Sequence, residues 1–239
     1  LVHAVVLGGF ATIAVAGIDT DAGKSVVTGL LARHLLDQGR AVTTLKLVQT
    51  GCTGTAEDIV QHRRLMGQAL TDWDRDGTTC PYVFPFPASP LLAARLAGAE
   101  IDTAVLDRSI ETLRQRHEWL LVEAAGGLLV PLQEHLVLLD YLAAKQLPLI
   151  LVTSPRLGSI NHTRLSLEAL RTRAVPLVGL VYNLHGDHPR EIVQDTLVEC
   201  RKALADYGFA PNLVILPDLA ESSAAAWPVL VNAARSLCA

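Results

Sequence analysis

The sequence predicts an α/β fold: a largely parallel β-sheet with helices on both faces, read as a single domain over residues 1–239. Three observations predict it. Short β-branched apolar runs alternate with longer segments whose apolar residues recur at helical spacing. Several of those runs are apolar almost throughout, which suits strands covered on both faces. The first run also leads straight into a glycine-flanked loop and an apolar helix. Strand, helix, strand in repetition implies right-handed crossovers and a parallel sheet.

The predicted strands are TIAVA (12–16), AVTTLKL (41–47), WLLVE (119–123), LPLILVTS (147–154), LVGLVYN (177–183) and LVILP (213–217). Between them lie helices in SVVTGLLARHLLDQG, EDIVQHRRLMG, TAVLDRSIETLRQRH and REIVQDTLVECRKALADYG. The first stops at Gly39, a usual helix terminator. The opening LVHAVVLGGFATIAVAG is apolar enough for a signal peptide. It lacks a basic leading region, however, and runs directly into the loop. Residues 1–11 have no role in this reading and are treated as an extension. The stretch 72–100 breaks the rhythm: rich in Pro and Gly, it predicts a long loop with one short helix, suited to a lid or binding loop. Residues 217–223 are weakly marked as an approach to the nucleotide. The C-terminal AAAWPVLVNAARSLCA predicts a packing helix interrupted at Pro228.

Composition narrows the function. With 50% hydrophobic residues, 18% charged and a net charge of −4 over 239 residues, the chain can bury a core and is not a disordered protein. No Lys/Arg block exists to track a nucleic-acid backbone. No uninterrupted run of about 20 apolar residues predicts a membrane span. Cys52, Cys80, Cys200 and Cys238 are scattered without a CxxC pair, which predicts reduced thiols and a cytoplasmic location.

In such sheets ligands bind beyond the carboxyl ends of the strands. After the first strand comes Gly17-Ile18-Asp19-Thr20-Asp21-Ala22-Gly23-Lys24-Ser25. This resembles a Walker A loop, in which backbone N–H groups and a helix N-terminus cradle phosphates. Lys24 would reach the β- and γ-phosphates and Ser25 would hold Mg²⁺. The first glycine lies one residue earlier than in the standard spacing. Ile18-Asp19 lacks the second lysine of MinD/ParA-type loops, and no Asn-Lys-x-Asp guanine motif occurs, so adenine is the default base.

Other strand ends add candidates. The chain has four lysines, Lys24, Lys46, Lys145 and Lys202, and two of them fall at ligand-facing positions. Lys46, followed by Thr50 and Gly51, could hold a developing anion, or simply cap a strand at the surface. Glu57-Asp58 opens a helix, where an acid complements the dipole; Asp58 could equally point at Mg²⁺. Glu123 ends WLLVE before a pliant Ala-Ala-Gly-Gly turn and resembles a Walker B carboxylate. Ser25, Asp58 and Glu123 would be hard oxygen ligands. Asn183 offers the donor and acceptor of an adenine edge, or a turn. Pro155–His162 leads into a helix whose free N–H groups suit a carboxylate, or ordinary capping. No HExxH, Cys/His cluster or G-x-S-x-G elbow is present.

Together, GIDTDAGKS, KLVQTG, AEDIVQ, ASPLLAA, VEAAGGLLVPL, LGSINHTRLSLEAL and LVYN stand in the order found in dethiobiotin synthetases, a family this chain resembles from about residue 12 to Asn183. The resemblance implies a P-loop NTPase-like fold and Mg²⁺- and ATP-dependent ring closure of 7,8-diaminopelargonic acid with CO₂ or bicarbonate. It assigns Asp19, Thr20, Asp21, Ala22, Gly23, Lys24 and Ser25 to the nucleotide, and Asn183 to adenine. It assigns Ser25, Asp58 and Glu123 to the metal. Lys24, Lys46 and Thr50 would be catalytic, and Thr20, Lys46 and Thr50 would also meet the substrate. Gly158, Ser159, Ile160 and Asn161 would receive its distal carboxylate across a homodimer interface.

Three departures stand out. Leu47 replaces the usual proline after the lysine, Ala124 the first glycine after the glutamate, and Leu91 the usual histidine after Ser-Pro. Were position 124 to need φ > 0, its Cβ would cost about 1–2 kcal/mol and tilt Glu123. Two alternatives therefore stand beside the family reading: a diverged P-loop ligase for a related amine or carboxylate, and a non-catalytic nucleotide-binding module.

Overall fold

A computed structural model describes residues 11–217 and 225–238; most of the candidate approach at 217–223, and residues 1–10, lie outside the described residues. In chain order the elements are β1 (Ala11–Gly17), α1 (Lys24–Asp37), β2 (Val42–Lys46), β3 (Gln49–Thr50), α2 (Glu57–Met66), α3 (Asp72–Arg75), β4 (Val83–Phe84), α4 (Pro90–Leu96), α5 (Thr103–Arg114) and β5 (Trp119–Gly127). They continue as β6 (Pro131–Gln133), β7 (Leu136–Val137), α6 (Leu138–Ala144), β8 (Leu149–Thr153), α7 (Ser159–Thr172), β9 (Leu177–Asn183), α8 (Arg190–Asp206), β10 (Leu213–Leu216) and α9 (Trp227–Cys238).

The central sheet has six strands in the order β10-β9-β8-β1-β5-β2, every pair parallel. All residues of β1, β2, β8 and β9 are buried, the burial expected of strands with helices on both sides. The chain leaves β1 for β2 at one edge and later fills in β8 on β1's other side. The order thus reverses at β1, and the crevice beyond β1, β5 and β2 is where such a sheet binds its ligand.

Register sets the chemistry of that crevice. Lys46 of β2 pairs with Glu123 of β5, and Val15 of β1 pairs with the same Glu123. Neighbours in register project to the same face, so the sheet delivers the ammonium beside the carboxylate.

Several elements differ from the sequence reading. The residues after Glu123 form no pliant turn: β5 continues to Gly127, which pairs with Gly17. A small residue is needed at the end of this pairing, since a Cβ on Gly17 would stand 2.9 Å from the carbonyl oxygen of Asp19. Pro228 does not interrupt a helix; it sits in the first turn of α9, where its missing N–H has no partner to lose. The hairpin β6–β7 and helix α6 were not predicted. The 72–100 stretch holds two short helices, α3 and α4, with β4 paired to β3.

A buried ion pair fastens the start of that stretch. Arg63 of α2 grips Asp74 of α3 with both Nε (2.9 Å) and Nη2 (2.8 Å), and also donates to Thr43 and Thr44 of β2. Burial would raise the Asp74 pKa, but Arg63, the Thr71 N–H and the Thr79 hydroxyl outweigh it and hold the carboxyl below its ordinary value. Its stabilising contribution is therefore complete above the unfolded pKa of 3.8 and is lost as pH falls through the lower folded value. Asp74→Ala leaves Arg63 unpaired and is expected to cost about 3–5 kcal/mol in urea unfolding near neutral pH, with a smaller loss at strongly acid pH. An unchanged urea midpoint would count against the pair.

Candidate active site

The phosphate loop is held from several sides. The Ile18 N–H donates to the Val152 carbonyl at 3.0 Å, continuing the strand pairing. Lys24 Nζ donates to the Asp19 carbonyl at 2.8 Å, and Asn183 Nδ2 to the Ala22 carbonyl at 3.1 Å. Arg156 meets the Asp19 carboxylate at 2.7 Å. Asp21 (φ 60°) and Gly23 (φ 97°) are both left-handed, giving the tight curl an anion cradle requires. Aspartate tolerates this conformation better than most residues. Gly23 faces a second constraint, because an added Cβ would lie 2.2 Å from Asn183 Nδ2. Gly23→Ala should therefore push Asn183 away, reopen the loop and weaken ATP binding at least tenfold in a calorimetric titration. Unchanged affinity would refute this account of the loop.

Beyond the loop lies a cleft of about 800 Å³. Thr20, Asp21, Gly23, Lys24 and Ser25 line one side, and Lys46, Thr50, Asp58 and Glu123 the other. Pro87, Ala88, Ser89 and Pro90 add a wall from the long loop. That wall is tied down where Gln49 and Thr50 pair with Val83 and Phe84.

At the floor, one network joins Lys46 to the three predicted metal ligands, Ser25, Asp58 and Glu123. Lys46 Nζ lies 2.6 Å from Asp58 Oδ2 and 2.7 Å from Glu123 Oε1. Ser25 Oγ donates to the same Glu123 Oε1 at 2.9 Å. Burial alone would lower the Lys46 pKa and raise that of Glu123; the opposite charges reverse both, so the lysine stays protonated and the glutamate ionised. Lys24 differs. Burial and the nearby Lys46 charge lower its pKa to about 8 from 10.5, against weaker support from Glu123 and Asp58.

The fit to Mg²⁺ rests on the donors themselves. Ser25, Asp58 and Glu123 offer one hydroxyl and two carboxylates, all hard oxygens lining the one cleft, with both carboxylates on Lys46 and the hydroxyl on Glu123. That is too few for a closed cage and suits Mg²⁺, which keeps waters and phosphate oxygens as its other ligands.

Other predicted residues stand outside the cleft. Asp19 faces Arg156, Ala22 is buried under the loop, and Asn183 lies beneath it with its Oδ1 accepting from the His185 N–H. Gly158, Ser159 and Ile160 line a separate cavity of about 290 Å³, and Asn161 is exposed.

The departures are structurally quiet. Ala124 is fully buried in β5 and is not among the non-glycine residues with positive φ, so the feared strain does not arise. Leu47 donates its N–H to the Glu123 carbonyl at 3.1 Å, a bond proline cannot make. Leu91 lines a second, smaller cavity rather than the cleft.

One residue of the network escaped the sequence reading. His62 is fully buried, and its Nε2 lies 2.6 Å from Glu123 Oε2. It stands four residues after Asp58 on α2, a spacing that puts both on one helix face and could have flagged it.

A family profile described as an AAA domain matches residues 11–226. ATP-dependent dethiobiotin synthetase BioD of Chlorobaculum tepidum is 48% identical over 216 residues, covering 90% of each chain. ATP-dependent dethiobiotin synthetase BioD 2 of Pasteurella multocida is 45% identical over 198 residues, covering 83% of this chain and 92% of its own. The chain belongs to the dethiobiotin synthetase family. Among solved structures, a ParA family ATPase from Chlorobium tepidum (TM-score 0.53, 16% identity, 95% of this chain and 91% of its own) shares the fold of this synthetase-family chain. So does the MinC:MinD complex of Aquifex aeolicus (TM-score 0.54, 14% identity, 95% and 86%). At such identities the likeness extends to fold alone, as expected for a family member whose loop lacks the extra MinD/ParA lysine.

Proposed function

We propose that this chain catalyses the ATP- and Mg²⁺-dependent conversion of 7,8-diaminopelargonic acid and CO₂ to dethiobiotin, a ligase step of biotin biosynthesis. The observation that carries the reading is the convergence of Lys24, Lys46, Ser25, Asp58 and Glu123 on one cleft, in a chain 48% identical to a dethiobiotin synthetase. One amine of the substrate adds to CO₂, loses a proton and becomes a carbamate. A carbamate oxygen attacks the γ-phosphorus of ATP and ADP leaves. The second amine then attacks the carbamoyl carbon, phosphate departs and the cyclic urea closes.

The residues supply position and charge. Lys24 holds the β- and γ-phosphates, and the helix N-terminus that begins at Lys24 turns its N–H groups to them. Lys46, kept protonated by two carboxylates, holds the carbamate and the migrating phosphoryl group between the substrates. Thr20 and Thr50 orient the carbamate from opposite walls. Ser25, Asp58 and Glu123 would hold Mg²⁺, which when bound neutralises charge on the phosphate oxygens. Asn183 pins the loop at Ala22 and stands beside the adenine position.

The distal carboxylate is assigned to Gly158, Ser159, Ile160 and Asn161 of a second copy in a homodimer. Supporting this, the turn lies outside the chain's own cleft, and the adjacent Leu157 is 92% exposed. A cytoplasmic location is supported by free thiols at all four cysteines. Among the described residues no helix is long and apolar enough to cross a membrane.

The test is ADP release with and without substrates. Hydrolysis stimulated many-fold by diaminopelargonate plus bicarbonate is expected. ATP binding without stimulation by any amine would favour the non-catalytic module, and stimulation only by other diamines the diverged ligase.

A further inference from the structure

We infer that His62 is a positioning residue that fixes the Glu123 carboxylate so that a single oxygen faces the cleft. This rests on the reading of Glu123 as a metal carboxylate. His62 Nε2 and Glu123 Oε2 stand 2.6 Å apart with both side chains fully buried, a short hydrogen bond by which the imidazole holds that oxygen. Oε2 is thereby occupied, and Oε1 is left to Ser25 and Lys46.

The other ring nitrogen is also engaged. Nδ1 lies 3.0 Å from Thr44 Oγ1, and that hydroxyl also accepts from Arg63 Nη1 at 2.9 Å, which holds it in place. Thr44 stands two residues before Lys46 on β2, so both project to one face of the sheet. The ring is therefore clamped between a strand hydroxyl and the carboxylate, with no exposed surface for water to replace either bond.

The arrangement has a chemical use. A carboxylate's terminal torsion is broad, and Mg²⁺ demands near-ideal octahedral geometry. Holding one oxygen on His62 makes Glu123 a one-oxygen ligand in a fixed orientation. Because α2 carries both Asp58 and His62, one rigid helix sets both acidic groups of the site.

The test uses Mn²⁺ as a spectroscopic substitute, titrated into the full chain with ADP and followed by the free-ion electron paramagnetic resonance signal, so turnover is not read. His62→Leu and His62→Asn both lose the contact with Oε2, since the asparagine amide reaches only the Nδ1 position. His62→Gln places an amide N–H where Nε2 stands. Leu and Asn variants with a cooperative thermal transition are expected to bind Mn²⁺ about 10–100-fold more weakly, with Gln restoring most of the affinity. Should Leu and Asn fail to fold, Gln matching wild type while Thr44→Val binds several-fold more weakly carries the same conclusion. Wild-type affinity in folded His62→Leu or His62→Asn, or in Thr44→Val, overturns it. Glu123→Gln is the control: wild-type affinity there removes the metal assignment and this inference with it, whereas a loss there beside an unchanged His62→Leu removes the inference alone.

Discussion

Lys46→Ala is expected to lower kcat for dethiobiotin formation about 10²–10³-fold while leaving ATP affinity within a few-fold of wild type. The ammonium sits 2.6–2.7 Å from two carboxylates at the cleft floor, beyond the loop proposed to hold the nucleotide. In the proposed reaction it acts where charge develops between the substrates rather than where ATP is held. The same variant leaves Glu123, fully buried, with Ser25 and His62 as its remaining partners, and Asp58 without its cation. Breaking a buried pair in this way typically costs about 3–5 kcal/mol, and the surviving hydrogen bonds offset part of that. Mg²⁺ held as proposed would bring positive charge to the same carboxylates, so it should raise the Tm of Lys46→Ala more than that of wild type. Equal losses of turnover and ATP affinity, read by single-turnover kinetics and calorimetry, would contradict the role given to Lys46.

Lys24→Met should separate function from stability. Loss of a charge-assisted phosphate contact is worth about 1.5–3 kcal/mol, or roughly 10–100-fold in ATP affinity. In the free chain, however, the Lys24 charge is a burden, because burial and the neighbouring Lys46 depress its pKa from 10.5 to about 8. Between those values the unfolded chain binds more protons than the folded one, so Lys24 makes stability rise with pH over that interval. Below about pH 8 the full cost is present. Lys24→Met should accordingly be at least as stable as wild type at pH 7, and the wild-type minus variant difference should narrow toward pH 10. A variant that binds ATP normally, or unfolds more readily at pH 7, would refute this. Charge held against its own preference until phosphate arrives is a common cost of a prepared site.

Much of this was legible from residues alone, for physical reasons. The central strands announced themselves because short β-branched runs recur between helical stretches, and several, such as LILVT, are apolar throughout, as strands covered on both faces must largely be. The loop and the four groups Lys24, Lys46, Asp58 and Glu123 followed from the rule that ligands gather beyond strand ends. What stayed hidden depends on pairing rather than pattern. Strands β6 and β7 have only three and two residues, too few to show a period. Helix α6 (LLDYLAA) buries Leu138, Leu139, Tyr141 and Leu142 and shows no polar face to mark it. Asn183 was rightly set at a strand end, but its grip on the Ala22 carbonyl is a contact between side chain and distant backbone that no spacing encodes. Ala124 was weighed as a strained position because it replaces the glycine usual in the family; the left-handed residue is Gly126, with φ 62°.

The central claim, that this cleft closes a cyclic urea at the expense of ATP, is met most directly by product analysis. The chain would be incubated with 7,8-diaminopelargonate, ¹³C-bicarbonate, Mg²⁺ and ATP, with Lys24→Met in parallel, and the products read by mass spectrometry. The account predicts dethiobiotin carrying one ¹³C in its ureido carbon from wild type, matched mole for mole by ADP, with the variant far below it. Folded, ATP-binding wild type that yields no labelled dethiobiotin would contradict it.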